Sequence, residues 1–235
     1  MEGLGFSVRT GIGRTGVIAE LHNGEGPVIA LRADMDALPI QEANTHDFVS
    51  QNPGVMHACG HDGHVAGLIG AARILAEKRD SGLLPSGTIR FIFQPSEEAT
   101  DNEGKSGAMR MVDEGVMEGV DAVVGLHLGG PLPAGKIFFA AGPIMAGAAE
   151  IHIEVLGKSS HAGMPEAGVD ALVLAARGVV AAQDSAPKDR SPVEDGLISF
   201  GQISGGTATN VLADRVAIDG TWSIDTFSAL GHRSH

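Results

Sequence analysis

Three histidines and the only cysteine of the chain lie close together in the sequence. They fall in the segment His57–His64, where a single glycine separates Cys59 from His61. Thiolate and imidazole groups together suit a transition metal of borderline softness, such as Zn, Mn, Co or Ni. A buried structural cysteine beside unrelated surface histidines would explain each residue singly, but it does not explain the cluster. The segment therefore predicts a metal site.

Two adjacent glutamates follow a short apolar run. Phe91–Phe93 has the composition of a buried strand, and Glu97 and Glu98 come shortly after it. In open α/β sheets, ligands bind at the carboxyl ends of the strands. One carboxylate of such a pair can bind metal while the other transfers protons. Considered alone, the pair is more simply interpreted as a solvated acidic turn.

A further histidine, His127, follows the apolar run Val123–Leu126. In isolation such a residue is more often a core histidine with satisfied hydrogen bonds than a ligand. Its position at the end of a predicted strand matches that of the glutamate pair. Several ligand types that converge at one sheet edge make a metal site credible. We therefore expect the three segments to meet.

The elements that must position these residues alternate between predicted strands and predicted helices. Strand patterns cover residues 17–21, 28–31, 88–93 and 121–128, and helical spacings of apolar residues cover 64–78 and 106–116. This alternation predicts an α/β layer built on a largely parallel sheet.

A break near Gly142 and Pro143 separates this layer from a second pattern. The residues that follow have a β-α-β-β order, which predicts a small α+β domain without its last helix and strand. The expected domains are therefore residues 1–142 and 143–224, followed by a divergent tail, 225–235.

Several other functions are disfavoured by composition and pattern. The net charge of −13 repels nucleic acid and anionic membrane surfaces. The segment Gly11–Gly16 matches a dinucleotide-binding glycine pattern, but β-branched Val17 and Ile18 follow it instead of a helix, so a hairpin loop is expected. No apolar stretch has the length of a membrane span, and no secretory signal opens the chain. We expect a cytoplasmic protein that acts on a small molecule.

Six blocks of the sequence together resemble one enzyme family. They are Ala30–Pro39, His57–His64, Gln94–Glu98, Gly125–His127, Gly157–Pro165 and Gly205–Asp214. In this order they are similar to the amidohydrolase branch of the aminoacylase/carboxypeptidase metallopeptidases, which includes hippurate hydrolase and the plant auxin-conjugate hydrolases. The resemblance implies metal-dependent hydrolysis of the amide bond of N-acyl amino acids. It also implies a zinc-peptidase-like catalytic domain, a smaller ferredoxin-like lid domain, and a homodimer formed through the lid.

The resemblance assigns a metal centre of two divalent ions, Mn²⁺ or Zn²⁺, with Co or Ni as alternatives. Its implied ligands are Cys59, His61, Glu98 and His127.

The same resemblance assigns the remaining site residues. Glu97 is implied as the general base, and His161 as a lid residue that stabilises the oxyanion in the partner subunit's active site. Asn210 is implied to hold the carboxylate of the substrate. Asp34 and Asp36 are expected either to support the ligands or to be ordinary polar strand ends.

The resemblance runs from about Gly5 to Thr221, which is shorter than expected for the family at both ends. A helix-rich opening segment and a closing segment with one more histidine ligand are missing, and His232 and His235 lack the context of that ligand. We therefore expect a truncated chain with little or no activity. The alternatives are an inactive fragment that retains metal binding or association, and a relative that acts on dipeptides or carbamoyl compounds.

Overall fold

The computed structural model describes residues 1–130, 132–139, 141–142, 147–185 and 197–224. The chain divides into two compact units, Met1–Pro133 and Ala134–His235. This division lies near the expected boundary at residues 142 and 143, of which Pro143 falls outside the described residues. The predicted tail, 225–235, also lies outside them. The domain limits therefore stay a prediction.

The first unit contains a five-stranded sheet with two helices. Its elements are β1 (Ser7–Ile12), β2 (Gly16–Asn23), β3 (Val28–Asp34), α1 (His61–Asp80), β4 (Gly87–Gln94), α2 (Gly107–Asp113) and β5 (Ala122–Gly125). The order across the sheet is β1-β2-β4-β3-β5. Strands β3, β4 and β5 run parallel, whereas β1 and β2 pair antiparallel with their neighbours. The α/β class is thus confirmed, but the sheet is mixed rather than largely parallel.

The glycine-rich segment near the N-terminus forms the turn of the β1–β2 hairpin. Gly13 has a φ of 57° and Arg14 a φ of 79°, which is the left-handed conformation that tight hairpin turns require. Strand β2 begins at Gly16, directly after the turn. The expected hairpin loop is therefore present, and no helix N-terminus follows these glycines.

Alternation of side chains along the central strands lets the sheet pack on both faces. On one face, Phe91 and Leu21 form a core cluster with Leu68 and Ala72 of α1. On the other face, Ile18, Ala30 and Ile92 pack against Met111 and Val116, which lie in and just after α2. Two buried faces explain why β4 consists almost entirely of buried residues at its carboxyl end.

The second unit contains a three-stranded antiparallel sheet and one long helix. Its elements are β6 (Gly147–Leu156), α3 (Ala171–Ser185), β7 (Leu197–Gly205) and β8 (Arg215–Ile224). The order is β6-β8-β7, and Ala171 and Ala175 of α3 pack against Val216 and Ile218. The β-α-β-β order matches the expectation for this segment, while a complete ferredoxin-like lid stays a prediction.

No helix among the described residues is long and apolar enough to cross a membrane.

Candidate metal centre

The carboxyl ends of three parallel strands bring the predicted ligand segments to one edge of the sheet. Asp34, the last residue of β3, lies opposite Gln94, the last residue of β4. Strand β5 pairs with the other side of β3 and ends at Gly125, two residues before His127. Helix α1 begins at His61, so its first turn enters the same region. The expected convergence of the segments is what the structure shows.

The ring of His61 is oriented so that one nitrogen remains available. Its Nδ1 lies 2.8 Å from the backbone oxygen of Asp36, a distance at which Nδ1–H donates to the carbonyl. Its Nε2 is buried and has no hydrogen-bond partner among the residues that the structure describes. Glu98 Oε1 lies 3.6 Å from this nitrogen. Metal-bound histidines typically have this arrangement, because the carbonyl fixes the tautomer and leaves the other lone pair free.

The side chains of Cys59 and His127 are in contact with each other and lie beside His61. The Sγ atom of Cys59 is 3.4 Å from His127 Nε2, and His127 Nδ1 lies 2.6 Å from the backbone oxygen of Leu128. One ligand atom from each of Cys59, His61 and His127 lies within 4.8 Å of the others. The same holds for His61, Glu97 and Glu98. His61 is thus shared by two groups of potential ligands.

The site has a surplus of negative charge. Burial, together with a hydrogen bond to Glu98 and the charges of Glu98, Glu97 and Asp34, raises the pKa of the Cys59 thiol to about 11. Partial desolvation also raises the pKa of Glu97, together with repulsion from Glu98 and Asp34. Divalent cations would supply the missing positive charge and favour the thiolate, since coordination deprotonates a thiol. The residues present therefore fit a site for divalent metal ions.

Arg32, Asp34 and His64 form a hydrogen-bonded group next to these residues. Asp34 receives hydrogen bonds from Arg32 Nη1 at 2.6 Å and from His64 Nδ1 at 2.5 Å. Burial raises the pKa of the Asp34 carboxyl, but the His64 hydrogen bond and the Arg32 charge outweigh it and lower the pKa overall. Although Asp34, His61 and His64 also lie close enough to hold an ion, Asp34 and His64 already satisfy each other. The sequence patterns assigned no role to Arg32, although Asp34 lies only two residues away on the same strand.

The turn that carries the glutamate pair is held by Asp36. The Oδ2 atom of Asp36 accepts hydrogen bonds from the backbone N–H groups of Glu97, at 2.8 Å, and Glu98, at 3.0 Å. Ser96, just before them, has a φ of 45°, a left-handed conformation that is uncommon for a residue other than glycine. Asp36 therefore fixes a tight turn that would otherwise be unfavourable.

The two remaining predicted residues lie in the second unit. His161 is exposed and pairs with Val211 in an isolated bridge, and its Nδ1 accepts a hydrogen bond from the backbone of Gly163 at 3.0 Å. Ala162 N–H donates to the backbone oxygen of Asn210 at 2.9 Å. The structure thus brings the segments of His161 and Asn210 together, and their roles in binding and catalysis stay predictions.

An α/β sheet with cysteine, histidine and glutamate side chains that could hold metal near the carboxyl ends of its strands defines a candidate metallohydrolase. A model of peptidase family M20/M25/M40 matches residues 30–206. This match covers most of the chain, and the chain belongs to that family. The resemblance to the metallopeptidases is thereby confirmed.

Individual relatives agree with this membership. The chain is 47% identical to an N-acyl-L-amino acid amidohydrolase of Geobacillus stearothermophilus, over 88% of this chain and 55% of that protein. It is 41% identical to the IAA-amino acid hydrolase ILR1-like 2 of Arabidopsis thaliana, over 94% of this chain and 48% of that protein. The chain therefore spans about half the length of these relatives.

A solved structure shows the same fold with a metal site. It is a dinuclear metal-binding peptidase of the M20 family from Bacillus subtilis, which superposes with a TM-score of 0.67 at 34% sequence identity. The match covers 98% of this chain and 57% of that one.

Proposed function

We propose that the protein carrying this chain hydrolyses the amide bond of N-acyl amino acids. The observation that carries the proposal is the cluster of Cys59, His61 and His127, whose ligand atoms lie within 4.8 Å of one another beside two carboxylates. The relatives named as N-acyl-amino acid and IAA-amino acid hydrolases support the substrate class.

Four residues are proposed to hold two divalent ions, Mn²⁺ or Zn²⁺, with Co or Ni as alternatives. They are Cys59, His61, Glu98 and His127. When bound, the ions polarise the amide carbonyl and lower the pKa of water. The free Nε2 of buried His61 and the surplus negative charge around Cys59 support this assignment.

Glu97 is proposed to transfer the proton that amide hydrolysis requires. Its carboxylate takes a proton from the attacking water and passes it to the departing nitrogen. Partial desolvation and the charges of Glu98 and Asp34 raise the pKa of Glu97, so that this pKa moves toward the neutral range. A general base is most effective when its pKa lies near the working pH.

The second unit is proposed to complete the site in a homodimer. His161 would stabilise the oxyanion in the partner subunit's site, and Asn210 would bind the carboxylate of the substrate. Both residues are exposed in the second unit, as these contacts require. Helix α3 exposes about half of Leu172 and Val180, apolar surface that suits association. A cytoplasmic location is part of the same proposal.

The proposal predicts that Cys59→Ala removes most of the bound metal together with the activity. The test uses the protein carrying this chain, with metal content measured by elemental analysis and amino-acid release measured from N-acetyl and N-benzoyl substrates. Ser81→Ala is the matched control, because Ser81 lies at the opposite end of α1 and its hydroxyl bonds only locally to Glu77. Equal metal content in Cys59→Ala and wild type would show that Cys59 is not a metal ligand and that the proposed metal site is incorrect.

A further inference from the structure

His64 is the one histidine of the His57–His64 cluster that is buried with hydrogen bonds at both ring nitrogens. Its side chain is 1% exposed. Nδ1 lies 2.5 Å from Asp34 Oδ1, and Nε2 accepts a hydrogen bond of 2.8 Å from the backbone N–H of Leu128. Neither nitrogen therefore has a lone pair left for a metal ion.

These two partners determine the tautomer of His64. A backbone N–H can only donate, so Nε2 must present its lone pair to Leu128. The proton of the neutral ring must then be on Nδ1, where it is donated to the Asp34 carboxylate. His64 thus connects a buried carboxylate at the end of β3 to the backbone that follows β5.

The segment after β5 needs this connection because it makes no strand pairing with β3. The last pair between β5 and β3 joins Gly125 to Arg32, so residues 126–128 extend beyond the ladder. Leu128 is anchored there by its N–H bond to His64 and by its side chain, which covers the first turn of α1. A methyl group added at Gly63 would lie 2.5 Å from Leu128 Cδ1.

We propose that His64 is a positioning residue that sets the place and ring orientation of His127. Leu128 follows His127 directly, and the Leu128 carbonyl lies 2.6 Å from His127 Nδ1. The His64–Asp34 pair holds the N–H of Leu128, and the carbonyl of the same residue holds the His127 ring with its Nε2 toward Cys59. This inference rests on the proposed function, in which His127 binds metal.

The first test removes both hydrogen bonds of His64. Replacement of groups that orient metal ligands typically weakens metal binding about 10- to 100-fold, and we expect a loss of this size for His64→Leu. Metal affinity is measured by competition with a chromophoric chelator in the protein carrying this chain. His64→Gln has one amide donor for Asp34 and one amide oxygen for Leu128, so it should recover part of the affinity.

Leu68→Ala separates positioning from general destabilisation. Leu68 lies one turn further along the same face of α1 and is buried in the core, but it makes no polar contact with the site. Its loss should lower the melting temperature and leave the metal affinity within about twofold of wild type. If Leu68→Ala and His64→Leu weaken metal binding equally at equal loss of stability, the positioning role is refuted.

His127→Ala distinguishes failure of this inference from failure of the proposed function. If His127→Ala leaves metal affinity unchanged, His127 is not a ligand and both proposals are wrong. If His127→Ala weakens binding while His64→Leu does not, only the positioning role is wrong. Loss of affinity in both variants, with partial recovery in His64→Gln, supports it.

A measurement on the unaltered protein keeps the inference testable even if the variants do not fold. Nitrogen-15 NMR of the imidazole rings distinguishes a protonated Nδ1 from a protonated Nε2. His64 should have the proton on Nδ1, and the Leu128 amide should be protected from hydrogen exchange. A proton on His64 Nε2 would overturn the proposal.

Discussion

Glu97 and Glu98 are adjacent in the sequence, but their carboxylates are in different environments at the candidate metal centre. Glu98 Oε1 faces the free nitrogen of His61 at 3.6 Å, and Glu98 also raises the pKa of the Cys59 thiol. Partial desolvation and the charge of Glu98 raise the pKa of Glu97, although its side chain is exposed. These environments support the proposal that Glu98 binds metal and that Glu97 transfers a proton.

This difference predicts separate effects of two matched substitutions. Glu97→Gln should retain metal but lose roughly a hundredfold or more in turnover, since an amide cannot accept the proton. Glu98→Gln should lose metal as well, because a charged ligand is removed. Elemental analysis and the rate of amino-acid release measure the two effects. A Glu97→Gln variant with more than about a tenth of the wild-type rate would contradict general-base catalysis by Glu97.

At the scale of secondary-structure elements, α2 positions the turn that carries the glutamates. The helix begins at Gly107, whose N–H donates to the backbone oxygen of Ser96 at 2.9 Å. A Cβ at Gly107 would lie 1.7 Å from the backbone oxygen of Pro95. Ser106 caps the helix by accepting from Met109 N–H at 3.3 Å. The start of α2 therefore packs directly against the turn, at a distance that only glycine permits.

Gly107→Ala is expected to destabilise the first unit by about 1–3 kcal/mol, as is typical of overpacking, and to lower turnover by displacing the glutamate turn. Gly67→Ala is the matched control, because nothing lies within 4 Å of its Cβ position and it lies inside α1. The control should gain up to about 1 kcal/mol from its higher helix propensity. Urea unfolding measures the free energy of unfolding of both variants. If Gly107→Ala were as stable as Gly67→Ala, the close contact between Gly107 and Pro95 would be excluded.

At the scale of the whole molecule, the chain has a net charge of −13, so its acidic groups repel one another. Part of this charge is concentrated where Glu97, Glu98 and Asp34 surround the Cys59 thiol. Ions that bind the folded chain and not the unfolded chain stabilise it in proportion to the logarithm of their concentration.

Metal removal should therefore lower the melting temperature of the protein carrying this chain. At a metal concentration 100 times the dissociation constant, the expected stabilisation is about 2.7 kcal/mol. Thermal unfolding with excess Mn²⁺ or Zn²⁺ and with chelator measures the difference. Cys59→Ala should show almost no metal-dependent shift, and Ser81→Ala a full one. A full shift in Cys59→Ala would mean that the ions bind elsewhere.

Much of the fold and the composition of the site follow from local patterns in the sequence. The apolar spacing of residues 64–78 predicts α1, since a helix repeats every 3.6 residues whatever its surroundings. The close spacing of Cys59 and His61 predicts metal chemistry before any contact is known. The six sequence blocks also indicate the family that the comparisons establish.

Only the tertiary structure shows the strand order and the state of each imidazole ring. Strand β4 lies between β2 and β3, although it follows both in the chain. His61 and His64 are three residues apart on one helix, but one has a free nitrogen and the other has none. This difference depends on Asp36, Asp34 and Leu128, which approach from other elements. A lone pair is available or occupied according to these distant partners, so residue type and spacing alone could not distinguish the two histidines.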